Sequence, residues 1–125
     1  MSTNPTTVEL VRAVRAFMGE TARPALEGHA AFYARIAENA LAIVERELCL
    51  SAQSDAAAKD RLRVLLDSSL EERRDLETLL CDRIRKGSLD WQSTALMAHL
   101  KASTIDQVKI DQPKYSGLAI ATESD

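Results

Sequence analysis

The stretch from Pro24 to Leu50, PALEGHAAFYARIAENALAIVERELCL, constrains the fold of this chain more than any other. At about 100° per residue, Leu26, Ala30, Tyr33, Ala37, Ala40, Leu41, Val44 and Leu48 fall on one face of a helix. Phe32, Ile36 and Ile43 widen that face until the apolar arc covers roughly half the cylinder. A helix packed on one side carries a narrower stripe, so this arc predicts neighbours on two sides. Pro24 suits the first turn, where its missing N–H has no partner to lose. Gly28 weakens the start and marks either a bend or a later beginning. The alanines from Ala30 to Ala42 favour helix and let another helix come close.

The opposite face is polar. Arg35, Asn39 and Arg46 lie nearly in line along it, with Glu38 and Glu45 beside them. Two guanidinium groups and an amide in such a row suit a carboxylate or a phosphate. They suit equally well ion pairs with the neighbouring glutamates or with acids on other helices. His29 and Glu47 intrude into the apolar arc, where a polar group needs a partner or water. His29 is expected near the mouth of a bundle, and Glu47 in water or against an arginine.

The rest of the chain predicts further helices. Thr6 and Glu9 have capping-box spacing ahead of a stripe of Leu10, Val11, Val14, Phe17 and Met18. A first helix over 6–18 follows, with Gly19 as its stop. The spine occupies 24–50, and SAQSD is expected as a loop. Helices over 54–67 and 69–86 come next, with core faces of Ala58, Leu62, Leu65 and Leu66, then Leu76, Leu79, Leu80 and Ile84. These two are compatible with one kinked helix as well as with two. Arg83, Arg85 and Lys86 followed by Gly87 mark a C-terminus. A last helix over 90–111 carries Leu96, Met97, Leu100, Thr104 and Val108, and Pro113 bars its continuation. The tail 116–125 is expected to be loose. Short links favour antiparallel neighbours, so residues 1–125 are expected to form one domain, an all-α up-and-down bundle of four to five helices.

Charge and cysteine usage narrow the function. A net charge of −3 over 125 residues argues against a broad surface for nucleic acid or an anionic membrane. Cys49 and Cys81 stand far apart in apolar helical context, as small hydrophobes do. MSTNPTTVEL has no basic segment leading into an apolar core, and no apolar run approaches the ~20 residues that span a bilayer. A cytoplasmic protein with no membrane or nucleic-acid partner is expected.

Catalytic patterns are sparse. The four glycines form no phosphate-cradling spacing. There is no Glu-x-x-His pair of the di-iron type, and His29, Cys49, Cys81 and His99 are too scattered for the close ligand pairs of a zinc site. No metal or cofactor is implied. His99, Ser103 and Asp106 share a helix face, but Asp106 lies about 10 Å along the axis from His99. It cannot orient that imidazole as a triad requires, so a solvated polar face is expected. Ala98, Ala102 and Ile105 form a weaker second apolar face on the last helix, suited to self-association or a partner. Lys109, Asp111, Pro113 and Tyr115 fit an ordered turn packed on the bundle.

PALEGHAAFYARIAENALAIVERE, LCDRIRKG and HLKASTIDQVKIDQPKY together resemble a family of small all-helical bacterial proteins known only as a domain of unknown function. The likeness covers nearly all of residues 7–115 and is carried chiefly by Pro24, Ala25, Leu26, Phe32, Arg35, Asn39, Arg46 and Glu47. His29 stands where an arginine is commoner. The resemblance implies association with acyl-CoA dehydrogenases and with kinases of the aminoglycoside-phosphotransferase type, and it supplies no catalytic residue. The expectation is therefore a non-catalytic interaction or accessory module linked to acyl-CoA metabolism. Its partner would be an acyl-CoA dehydrogenase, a kinase-like protein or a second copy in a homodimer. The rival is a binder of a small anion, a phosphate or CoA-type group held by Arg35, Asn39 and Arg46, or a weak accessory enzyme.

Overall fold

The computed structural model describes residues 4–123, all in helices and their connections, with no strand among them. The chain falls into two compact units, Met1–Ser51 and Ala52–Asp125.

In the first unit, α1 (Thr7–Phe17) opens with the capping box that Thr6 and Glu9 predict. The Glu9 amide donates to Thr6 Oγ1 at 3.2 Å, and the Thr6 amide donates to Glu9 Oε1 at 3.4 Å. Gly19 does not stop the helix. A π-helical turn, Met18–Ala22, and the short α2 (Arg23–Ala25) carry it on. The glycine serves close approach instead, because a Cβ there would lie 2.5 Å from Glu38 Oε1. The chain breaks at Leu26, which is extended, and Gly28 follows at φ +62, a conformation only glycine adopts at little cost. Helix α3 (Gly28–Leu66) starts there, four residues later than Pro24. It runs antiparallel to α1. Arg12 pairs with Glu45 at 2.6 Å, Arg15 with Glu45 at 2.9 Å and Arg23 with Glu38 at 3.4 Å.

The SAQSD loop is absent, and α3 runs straight through it. Beyond Gly28 the helix contains neither proline nor glycine, so nothing in the backbone forces a stop. The polar run is a helix surface, and Asp55 pairs from it with Lys59 and with Arg73 of the next helix.

The second unit joins the end of α3 to α4 (Arg73–Lys86), α5 (Thr94–Asp111) and α6 (Ser116–Glu123). Its core is Leu62, Leu66, Leu76, Leu80 and Leu96, flanked by Leu65, Leu79 and Leu89. The chain leaves α3 at Asp67, with φ 48, so the third and fourth predicted segments are separate helices. Two arginines hold the exit. Arg83 donates to the Leu66 carbonyl at 2.6 Å, and Arg63 donates to the carbonyls of Leu70 and Glu71. Helix α4 begins at Arg73 after Glu72, later than Ser69. It ends as its basic last turn predicts, with Gly87 left-handed at φ +80. Helix α5 starts at Thr94 and not at residue 90, because Ser93 takes the cap and accepts from the Leu96 amide. Asp90 instead accepts from the Gln92 amide in the preceding turn. The tail is helical over Ser116–Glu123, where loose chain is expected; residues 124–125 lie outside the described part.

Candidate functional site

The first unit buries one described side chain, Ala34, and leaves large apolar side chains exposed. On α1 these are Leu10, Val14 and Phe17; on α3 they include Phe32, Tyr33, Ile36, Val44 and Leu48. Phe17, Phe32 and Tyr33 are 57%, 59% and 63% exposed. The register set by Arg12 with Glu45 and by Gly19 with Glu38 brings Leu10 level with Leu48 and Val14 level with Val44. Measured from the faces that are least exposed, Val8, Val11, Arg15 and Met18 on α1 and Ala31, Ala34, Leu41 and Glu45 on α3, each stripe sits roughly a third of a turn away at about 100° per residue. Because the helices are antiparallel, equal rotations bring both stripes to the same side of the hairpin. The result is one apolar face crossing two helices. His29, Phe32 and Tyr33 cluster at one end, with Phe32 and Tyr33 edge to face at 5.9 Å. Aromatic side chains of this kind anchor protein interfaces.

The other side of the hairpin is polar. A cleft of about 350 Å³ is lined by Arg12, Arg15, Arg23, Glu38 and Asn39. Of the row Arg35, Asn39 and Arg46, only Asn39 lines it; Arg35 is exposed and Arg46 half-buried. The arginines of the cleft face carboxylates. The Arg12 hydrogen bond holds Glu45 below the usual carboxylate range, with the Arg15 charge adding to it. Oε2 of Glu38 and of Glu45 is buried without a hydrogen bond; the ion pairs from Arg23 and Arg15 reach these oxygens off the hydrogen-bond line. The cations of the cleft are thus already compensated within the hairpin, which leaves little net positive charge for an incoming anion.

In the second unit the predicted polar face of α5 turns inward. His99 is buried, along with Leu96 and Ile110, whereas Met97 and Leu100 are exposed. Arg61 on α3 explains this. Its Nε donates to His99 Nδ1 at 3.1 Å, and its Nη2 donates to Ser103 Oγ at 3.2 Å. An accepting Nδ1 makes His99 the neutral tautomer protonated on Nε2. Burial pushes its pKa below the ordinary value, and the charges of Arg61 and Arg73 push the same way. Spacing of three and seven residues from Leu96 to His99 and Ser103 carried the signal, but the polar residue types hid it. Beside this cluster lies an apolar groove of about 400 Å³ that includes Val64, Leu65, Ala95, Ala98 and His99. Of the second-face residues, Ala98 is exposed there, and Ala102 and Ile105 are half-buried. His29 and Glu47 on α3 are both exposed.

Among the described residues, no group of three His, Cys, Asp or Glu side chains is placed to hold a metal, and no helix is long and apolar enough to cross a membrane. The described residues define an all-helical protein with an exposed apolar face on its first unit. The chain belongs to the family described as a domain of unknown function, DUF6285, whose model matches residues 24–115. No curated protein and no solved structure matches it.

Proposed function

We propose that this protein is a non-catalytic interaction module, working beside an acyl-CoA dehydrogenase or a related enzyme of acyl-CoA metabolism. The observation that carries the interaction reading is the apolar face of the first unit. Leu10, Val14 and Phe17 on one helix and Tyr33, Ile36, Val44 and Leu48 on the next stand in solvent together. Monomeric proteins seldom leave so extended an apolar patch uncovered. The acyl-CoA setting is supported by the resemblance of residues 24–47 to proteins associated with such dehydrogenases. Arg35 and Arg46 do not line the polar cleft with Asn39, which favours this reading over the anion binder built on Arg35, Asn39 and Arg46.

The test is a pull-down from native lysate at low salt, with the full chain and its Val14→Glu, Val44→Glu double variant as baits. The expected result is a stoichiometric partner, another protein or an untagged copy of this chain, held by the first bait and lost from the second. Equal capture by both baits, or no capture by either, contradicts the reading.

A further inference from the structure

We propose that the apolar face of the first unit is covered by a second copy of this chain, the two hairpins closing into an antiparallel four-helix bundle about a two-fold axis. The proposal rests on the interaction-module reading and names its partner. The first argument is the arc on α3. It spans roughly half the helix and so calls for neighbours on two sides, yet within its unit the segment from α1 to α2 packs on one side alone, leaving Tyr33, Ile36, Val44 and Leu48 exposed. The second is spacing. Leu10, Val14 and Phe17, and Tyr33, Ala37, Ala40 and Val44, repeat at alternating steps of three and four, the pattern by which bundle helices interlock. An antiparallel hairpin carrying such a seam on both helices is half of a four-helix bundle, and a two-fold axis pairs the same patch with itself.

Size and charge agree. The exposed parts of the seven large side chains offer on the order of 600 Å² per copy, near the about 800 Å² that a standard interface takes from each partner. Residues 1–51 hold five arginines and six glutamates, with no lysine or aspartate. A second copy therefore meets no strong field of its own sign. Arg12, Arg15 and Arg23 are already paired with Glu45 and Glu38 within the hairpin, which leaves the apolar seam as the dominant feature for association.

The experiment is size-exclusion chromatography with light scattering on the purified full chain, from about 10 to 100 µM. These are concentrations at which a Kd of micromolar order populates the dimer. The expected mass is twice 13.8 kDa. Val44→Glu and Val14→Glu each place a carboxylate in the seam on both copies and weaken association by about 100-fold or more. Both sites are exposed in the single chain, so helical circular dichroism is expected to be retained. Val64→Glu, in the second unit and 84% exposed, leaves the dimer intact. A wild-type mass of 13.8 kDa across the range overturns the proposal, as does a dimer that survives both seam variants. A monomer that still captures a different protein, lost in the seam variants, overturns the second copy and leaves the interaction reading standing. A monomer that captures nothing overturns both.

Discussion

Replacing Leu76 by alanine probes the packing of the second unit at its centre. Leu76 is fully buried on α4 and belongs to the cluster of Leu62, Leu66, Leu80 and Leu96. The substitution deletes three carbons, worth about 0.8 kcal/mol each in lost burial. The hole is ringed by other leucines on three helices and closes only in part, which adds a cavity cost. About 3–4 kcal/mol is expected in total, within the range of about 2–5 found for such truncations. A unit of this size has a stability of only about 4–10 kcal/mol. Urea unfolding followed by circular dichroism reads the change. At a slope of about 1.5 kcal/mol/M, the midpoint falls by about 2 M. Val64→Ala on α3 is the control, because Val64 is mostly in solvent, and it is expected to stay within about 0.5 kcal/mol of wild type. A loss below about 1 kcal/mol for Leu76→Ala, or equal losses for both variants, refutes the assigned core.

Three further outcomes follow from single elements. Gln53→Pro interrupts α3 where the sequence suggested a loop, and urea unfolding is expected to show a loss of about 3 kcal/mol or more; a tolerated proline means the segment is a loop after all. Gly87→Ala forces a side chain into the left-handed C-terminal position of α4, at φ +80, with an expected cost of about 1 kcal/mol in the same assay. His99 has a folded pKa below the ordinary value of 6.5. The unfolded chain therefore takes up a proton that folded His99 resists. Its contribution is full above about pH 6.5 and drains as pH falls from there towards the folded pKa. Urea midpoints between pH 5 and 7.5 should slope less in His99→Gln than in wild type, and identical slopes contradict the buried neutral imidazole.

The helical class was legible because propensity and apolar period agree over nearly the whole chain. Local signals placed the capping box at Thr6 and Glu9, the end of α4 at Gly87, and the core positions Ala58, Leu62, Leu66, Leu76 and Leu80. Polarity misled in two places. Ser51–Asp55 looked like a loop because its side chains are hydrophilic, yet a solvated helix face has the same composition and nothing there breaks the backbone. His99 and Ser103 looked solvated because their partner, Arg61, lies 38 and 42 residues away, beyond the reach of any local pattern. Gly19 misled in the other direction. Its meaning is the nearness of Glu38, a tertiary contact, so it did not end the helix. The breadth of the arc on α3 predicts two neighbours, of which its own unit supplies one. Sequence alone could not show that part of the arc stays exposed within its unit, nor that the α1 stripe is exposed beside it.

Tyrosine nitration tests the proposed cover of the apolar face most directly. The chain has two tyrosines. Tyr33 stands on the apolar face at 63% exposure, and Tyr115 follows α5 in the second unit at 56%, so in a lone chain they should react alike. Nitration in native lysate, read by mass spectrometry after purification, is expected to modify Tyr115 and spare Tyr33, with Val44→Glu restoring Tyr33 to the rate of Tyr115. Equal modification of both tyrosines in the wild-type chain contradicts a covered face and with it the central claim.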